Sequence, residues 1–140
     1  MRFVFDDGGR AASGRRGTAR GDCVCRAIAI ASGEYYGTVY DALEAEAADM
    51  RQTKRVRGSH PSKGVFRCVF ARYLLKRGWH WHPTMGIGTG CRVHLRDGEL
   101  PTGNLIVAVS RHLVAVIDGV IHDTYDPSRD GTRCVYGYWS

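Results

Sequence analysis

Hydrophobic and polar positions in the first half of the chain follow the periodicity of helices. Residues Val24–Ala31 (VCRAIAIA) form an apolar run that follows Asp22 and stops at Ser32-Gly33. Aspartate is favoured at helix N-caps, and glycine is favoured just after a helix ends. Because a helix that is apolar on all sides is expected to be buried, this segment predicts a core helix.

Two further segments have the pattern of helices with one apolar face. Tyr36–Met50 carries Val39, Leu43 and Ala47 at fourth-residue spacing, with acidic residues between them. Gly64–Arg77 has a comparable stripe and is followed directly by a glycine. Its apolar positions are Val65, Cys68, Val69 and Tyr73. Both stripes predict helices that pack one face against a core.

After Gly78 the pattern changes to that of short strands. The strand candidates are Trp79–His82, Val93–Leu95, Asn104–Ser110, His112–Ile117, Val120–Thr124 and Cys134–Tyr138. Asp118-Gly119 lies between two apolar runs, which predicts a two-residue type I′ hairpin. Phe3–Phe5 predicts one more short strand at the N-terminus. Helices first and an antiparallel sheet second predict an α+β fold.

Length and composition indicate an ordinary globular domain. At 140 residues we expect a single domain over residues 1–140, able to bury roughly two-thirds of its unfolded surface. The 44% hydrophobic and 24% charged residues exclude wholesale disorder. The segment Asp6–Arg20 is rich in Gly, Arg and Ala, which predicts a loop and, within residues 1–20, a mobile N-terminal arm.

No segment has the pattern of a membrane span or an export signal. The longest apolar runs, such as Leu105–Val109 and Leu113–Ile117, have the length of strands and are too short to cross a bilayer. We therefore expect no membrane partner and a cytoplasmic location. In a reducing compartment an odd number of irregularly spaced cysteines predicts free thiols. The five are Cys23, Cys25, Cys68, Cys91 and Cys134.

The chain is basic, with a net charge of +6. Such a charge is compatible with a nucleic-acid partner. The basic residues are scattered, however, which favours a solvated basic surface over a nucleic-acid site. They fall in three groups: Arg15, Arg16 and Arg20; Lys54, Arg55 and Arg57; Lys76 and Arg77.

Cys23 is the candidate nucleophile because it directly follows the predicted N-cap residue Asp22. At that position its sulfur faces the unsatisfied N–H groups and the positive end of the helix dipole. Both favour the thiolate, which is the reactive form. Cys25 is two residues further along, so its side chain points about 200° away and is expected to pack in the core.

The predicted hairpin brings a histidine and a carboxylate together. If Asp118-Gly119 is the turn, Ile117 pairs with Val120, and His112 and Asp123 then point to the same face of the hairpin. Asp123 lies diagonally across from His112, at a position from which it can accept a hydrogen bond from the imidazole. The order Cys23, His112, Asp123 suggests a nucleophile, its base and the group that orients the base.

Asp126 is the alternative third residue. It falls on the opposite face if the strand continues, and Pro127 directly after it indicates that the strand has ended. The geometry therefore favours Asp123, although a β-bulge in the hairpin would reverse the choice.

These segments together resemble the papain-like cysteine peptidase superfamily. The similar segments are Gly21-Asp22-Cys23 with the helix behind it, and Ser110–Gly119 (SRHLVAVIDG) running on to Asp123. The compact bacterial and phage branches are the most similar, including peptidases that process bacteriocin leader peptides. The chain also looks like small phage and bacterial proteins with this pattern, for which no activity is implied.

The resemblance implies a papain-like fold, with N-terminal helices packed on a C-terminal antiparallel sheet and the site between them. It also implies a Cys23 thiolate, general base and acid chemistry at His112, orientation by Asp123, and a thioester intermediate. The family usually has a Gln before the nucleophile to stabilise the oxyanion, and this chain has none there. Either the Cys23 N–H, with Thr18 or Arg20, forms a modified oxyanion site, or the chain is a scaffold without peptidase activity.

The leading hypothesis is a cysteine hydrolase that acts on peptide, isopeptide or side-chain amide bonds. Acyl transfer or deamidation would use the same three residues. A different class is a non-catalytic module that keeps the fold and binds nucleic acid or an acidic protein through basic residues, such as Lys54, Arg55 and Arg57.

We expect no cofactor and no metal. His80 and His82, combined with Cys23 and Cys25, lack the paired spacing of zinc ligands. The strand that carries the two histidines is expected to place one face in the core and the other along a groove.

Overall fold

The computed structural model describes residues 1–15, 21–50 and 57–140. In chain order the elements are β1 (Arg2–Phe5), α1 (Arg10–Ser13), α2 (Cys23–Ser32), α3 (Tyr36–Asp49), α4 (Arg67–Lys76), β2 (Trp81–Pro83), β3 (Asn104–Val109), β4 (His112–Ile117), β5 (Val120–Asp123) and β6 (Val135–Trp139). The architecture is α+β, as the order of helical and strand patterns predicts.

The strands of the described residues form one sheet in the order β1-β5-β4-β3-β6-β2. The central hairpin has the predicted register, with Ile117 opposite Val120 and Val116 opposite Ile121. Asp118 and Gly119 have φ values of 46° and 79°, as a type I′ turn requires. The hairpin prediction is confirmed down to its turn type.

The sheet is mixed rather than purely antiparallel, which corrects one expectation. Strand β1 pairs in parallel with β5, from Arg2 opposite Val120 to Phe5 opposite Asp123. The remaining neighbours are antiparallel. A parallel pair needs a long crossover connection, so adjacent segments of sequence could not reveal it. The N-terminus therefore supports the same strand end that carries Asp123.

Both faces of the sheet are covered. On one face the helices pack on Leu113 and Ala115, and Val39, Leu43 and Ala47 of α3 are buried as predicted. On the other face Val114 and Val116 form a second core with residues that include Leu95 and Leu105. Because β4 is buried from both sides, its run of apolar residues does not alternate with polar ones. This strand is the rigid support of His112.

Several predicted element boundaries were wrong. Helix α4 begins at Arg67 because Gly64, at φ 138°, is held in a bridge with His60 instead. The predicted strand Val93–Leu95 is reduced to one bridge, and Trp79–His82 becomes β2 from Trp81. The predicted loop at 6–20 contains the short helix α1, and residues 16–20 of the predicted arm lie outside the described residues.

The prediction of five free thiols was also wrong. Cys91 and Cys134 form a disulfide, while Cys23, Cys25 and Cys68 are free. The two bonded cysteines are 43 residues apart in sequence, and their Cα atoms are 5.8 Å apart. Neither their number nor their spacing identified this pair. The disulfide covalently joins the segment around Cys91 to the residue that precedes β6.

Gly137 in β6 has no room for a side chain, because an added Cβ would overlap the Trp81 ring and lie 2.7 Å from the His82 carbonyl oxygen. We expect Gly137→Ala to destabilise the fold by about 1–3 kcal/mol through overpacking. Gly86→Ala is the control, since the new Cβ would make only an ordinary 3.6 Å contact. Urea denaturation measures both, and equal midpoints for the two variants would contradict this packing.

Candidate active site

Cys23 is the first residue of α2, at the N-terminal end of a buried helix. Its side chain is partly exposed, whereas Val24 and Cys25 behind it are buried. Asp22 occupies the predicted N-cap position, but its side chain makes no capping hydrogen bond. The carboxylate turns into the protein interior instead, so the N–H groups at the helix start are not capped by that side chain.

His112 is the first residue of β4, immediately after the two-residue turn Ser110-Arg111. The imidazole is buried, and it lines the same cavity as the Cys23 thiol, close enough for each group to shift the pKa of the other. It also lies against the Tyr125 ring, with ring centroids 5.2 Å apart. The chain therefore brings the two residues together across a separation of almost ninety positions.

Asp123 and not Asp126 contacts the histidine. The His112 Nε2–H donates to Asp123 Oδ2 at 2.6 Å, and the Asp123 side chain is buried. The exposed Asp126 accepts a hydrogen bond from the Ser128 backbone N–H at 2.9 Å. The carboxylate at Nε2 leaves Nδ1 as the ring nitrogen that serves Cys23. Sequence-predicted site residues Cys23, His112 and Asp123 thus lie in one chain of contacts.

The two reactive groups shift each other's pKa in opposite directions. Burial by itself would raise the pKa of the Cys23 thiol, but the hydrogen bond and the positive charge of His112 outweigh it and lower that pKa. Burial opposes the charged form of His112, yet the hydrogen bonds to Asp123 and Cys23 raise its pKa to about 9. Both shifts favour the thiolate–imidazolium pair over the neutral thiol and imidazole.

Cys25 provides an internal comparison on the same helix. It is fully buried, and its sulfur lies 3.8 Å from the carbonyl oxygen of Tyr36. Burial raises the pKa of this thiol to about 12. The predicted opposite orientation of the two side chains therefore separates an activated thiol from an inert one.

A buried ion network lies beneath the site, and the sequence pattern did not reveal it. Arg26, three residues after Cys23, forms ion pairs with Asp22 and, at 2.9 Å, with Asp123 Oδ1. The Tyr36 hydroxyl donates to Asp22 Oδ2 at 2.9 Å, and Arg10 approaches the same oxygen at 3.2 Å. The expectation that α2 is apolar on all sides was therefore wrong. The i,i+4 spacing of Asp22 and Arg26 was the available signal.

The network satisfies the carboxylate that orients His112. Asp123 Oδ1 accepts hydrogen bonds from Arg26 and from the Thr124 backbone N–H, at 2.9 Å and 2.7 Å, and Oδ2 is left for His112. A buried carboxylate is stable as an anion only with such partners. Asp123 is therefore held in a fixed orientation behind the imidazole.

Two cavities adjoin His112 and share Arg111 and His112 in their walls. The first, about 510 Å³, contains Cys23 and is largely apolar. Its apolar walls are Val24, Val65, Phe70, Val109, Leu113 and Tyr136. The second, about 770 Å³, lies on the other side of His112. A substrate seated over the thiol can extend into both.

The oxyanion partners suggested by the sequence are only partly described. The backbone N–H of Cys23 lies at the first helical position, where no acceptor exists within the helix. Thr18 and Arg20 lie outside the described residues. One donor of an oxyanion hole is therefore in place beside the sulfur.

Other features that the sequence raised do not form sites among the described residues. In those ranges no cluster of three or more His, Cys, Asp or Glu side chains can hold a metal ion. His82 stacks on Tyr138 and contacts the Ser140 hydroxyl at 2.8 Å. No helix in the described ranges has the length and apolarity needed to cross a membrane.

Six of the basic residues in the described ranges form ion pairs with carboxylates. Those in ion pairs are Arg10, Arg15, Arg26, Arg72, Lys76 and Arg96. Of the basic cluster suggested as a nucleic-acid contact, Arg57 is exposed, while Lys54 and Arg55 lie outside the described residues.

No protein-family model matches the chain, and no curated protein and no solved structure matches it. The resemblance of the Cys23 and His112 segments to papain-like peptidases therefore stays a prediction from the sequence.

The Cys23–His112 contact predicts an unusual pH profile of alkylation. With His112 present, the iodoacetamide rate at Cys23 should have its midpoint below pH 9, because the pKa of the thiol is lowered from 9.0. In His112→Ala the midpoint should move to higher pH, since the largest effects that oppose burial of the thiol are then lost. A Cys68→Ser background and peptide mass spectrometry restrict the readout to Cys23. Identical midpoints with and without His112 would refute the contact.

The buried network predicts a large stability cost at Arg26. Arg26→Met leaves Asp22 and Asp123 buried without their cation, and we expect a loss of about 3–5 kcal/mol in unfolding free energy. Arg72→Met is the matched control, because Arg72 is 39% exposed where it pairs with Glu46 and should cost about 1 kcal/mol or less. Thermal and urea unfolding measure both. A cost at Arg26 no larger than at Arg72 would contradict the network.

Proposed function

We propose that this protein is a cysteine hydrolase that cleaves peptide, isopeptide or side-chain amide bonds. Cys23 is the nucleophile, His112 is the base and then the acid, and Asp123 orients the imidazole. The observation that carries the proposal is the unbroken series of contacts from the helix-start thiol through the imidazole to a buried carboxylate.

Electrostatics support the same assignment. A thiol whose pKa is lowered beside a histidine whose pKa is raised is the arrangement that nucleophilic cysteine catalysis requires. Cys25 is a poor alternative, because burial raises the pKa of its thiol to about 12. The cavity at Cys23 supplies room for the acyl group to be attacked.

In the reaction the Cys23 thiolate attacks the carbonyl carbon, and the Cys23 N–H donates to the oxygen that becomes negative. The imidazolium of His112 gives its proton to the leaving nitrogen, the C–N bond breaks, and an amine and a thioester result. His112, now neutral, takes a proton from water, whose oxygen attacks the thioester. Loss of the thiolate then releases the carboxylic acid and restores the ion pair.

The proposal extends to a papain-like assignment within the α+β class. It is supported by the helix-first order, the nucleophile at the start of a buried helix, and the histidine and aspartate on a following hairpin. Transfer of the acyl group to another amine, or deamidation, would use the same residues and differ only in the acceptor or in the bond attacked.

Activated esters test the chemistry without knowledge of the natural substrate. We expect p-nitrophenyl acetate to acetylate Cys23, seen as the acetyl mass on its peptide, with a burst of nitrophenol. His112→Ala should slow acylation by about 10²–10⁴-fold, the usual contribution of a general acid–base group. Cys68→Ala is the control that should keep the burst.

The bond class is tested by digestion of a mixed peptide library with product termini read by mass spectrometry. New termini that disappear in Cys23→Ala support hydrolysis. If Cys23→Ala retains every activity, the enzyme assignment is wrong. Salt-sensitive nucleic-acid binding that needs Arg57 but not Cys23 would instead support the basic binding module.

A further inference from the structure

The larger cavity lies beside His112. Its wall shares Arg111 and His112 with the cavity that contains Cys23, so the two cavities adjoin at the imidazole. An occupant of the larger cavity is therefore within one or two residues of the bond that Cys23 would attack. At about 770 Å³ it has room for one or two side chains.

The charge of this cavity is strongly positive. Three arginines line it, Arg111, Arg129 and Arg133, against one carboxylate, Asp126. None of the three forms an ion pair with any residue in the described ranges, and Asp126 is engaged by the Ser128 N–H. Arg133 donates to the Ser110 carbonyl oxygen, while its buried Nε has no hydrogen-bond partner among the described residues. The cavity thus offers guanidinium groups that form no ion pair with a carboxylate in the described part of the chain.

Two of these arginines have a left-handed backbone conformation that favours other residue types. Arg111 has φ 58° at the second position of a two-residue turn, and Arg129 has φ 52° in a turn closed by the Gly131 N–H on Ser128 oxygen at 3.1 Å. Left-handed positions of this kind favour glycine or asparagine, and a larger side chain there is strained. Strained residues cluster at ligand sites. Both arginines line the same cavity, and a ligand bound there would account for both strained positions.

We infer that this cavity is a substrate subsite for a carboxylate, so that the enzyme prefers an acidic side chain next to the scissile bond. The inference rests on the proposed cysteine chemistry. Guanidinium groups bind carboxylates through paired N–H donors, and three arginines that line one cavity can converge on a single acidic side chain. Tyr125 supplies an aromatic wall between the arginines and His112.

Two alkylating probes that differ only in charge test the subsite. They are the α-amides of N-iodoacetyl-glutamate and N-iodoacetyl-glutamine; in both, the Cys23 thiolate forms the S–C bond and iodide leaves. At low salt we expect the glutamyl probe to react about three- to tenfold faster, the range that one or two partly exposed ion pairs provide. High salt should bring the ratio close to one.

Variants assign the preference to the cavity. Arg129→Asn keeps a residue that tolerates the left-handed turn, and Arg133→Gln keeps a donor for Ser110; each should lower the ratio of the two probe rates at least twofold. Arg2→Gln is the control, because it removes the same charge from the far end of β1 and should leave the ratio unaltered.

The outcomes separate the two claims. A ratio near one in the unaltered protein, or one that the arginine variants do not change, overturns the subsite while a fast iodoacetamide reaction still supports the proposed function. Protection of Cys23 by short single-stranded DNA without discrimination between the probes also overturns it. An iodoacetamide rate at Cys23 equal to that of a free thiol contradicts the proposed function itself.

Discussion

The bridge formed by Arg26 between Asp22 and Asp123 is the interaction on which the site depends. Each of these charges is buried, and each would be costly without the others. Asp22 precedes α2, and Asp123 ends β5, so the ion pairs fix the start of the helix to the end of the hairpin. Because Cys23 and His112 are neighbours of these two points in the structure, the network sets their relative position.

The same network explains why one helix holds two thiols of opposite character. Cys23, at the N-terminal end of α2, interacts with an imidazolium that is stabilised by a buried carboxylate. Cys25, one half-turn further, is fully buried, and burial is the largest effect on the pKa of its thiol. The direction of each pKa shift therefore follows from its surroundings rather than from the helix dipole alone, to which both cysteines are close.

Local patterns predicted the parts of this site that depend on local structure. The two-residue turn sets the hairpin register, and the register alone selects Asp123 over Asp126 as the partner of His112. Features that depend on distant segments were not predictable. The parallel pairing of β1, the Cys91–Cys134 bond and the second carboxylate of Arg26 each join residues more than forty positions apart. A charged residue within an apolar helix indicates only that a partner is needed, and the partner is set by the tertiary fold.

The charge state of His112 tests the account most directly. A ¹³C-labelled histidine titration followed by NMR, in the unaltered protein and in Cys23→Ser, reports the imidazole without reference to any substrate. The account predicts a pKa of about 9 for His112, raised from 6.5 despite burial by its bonds to Asp123 and Cys23, with a lower value in Cys23→Ser. Titration at the ordinary 6.5 that is unaffected by the change at Cys23 would contradict it.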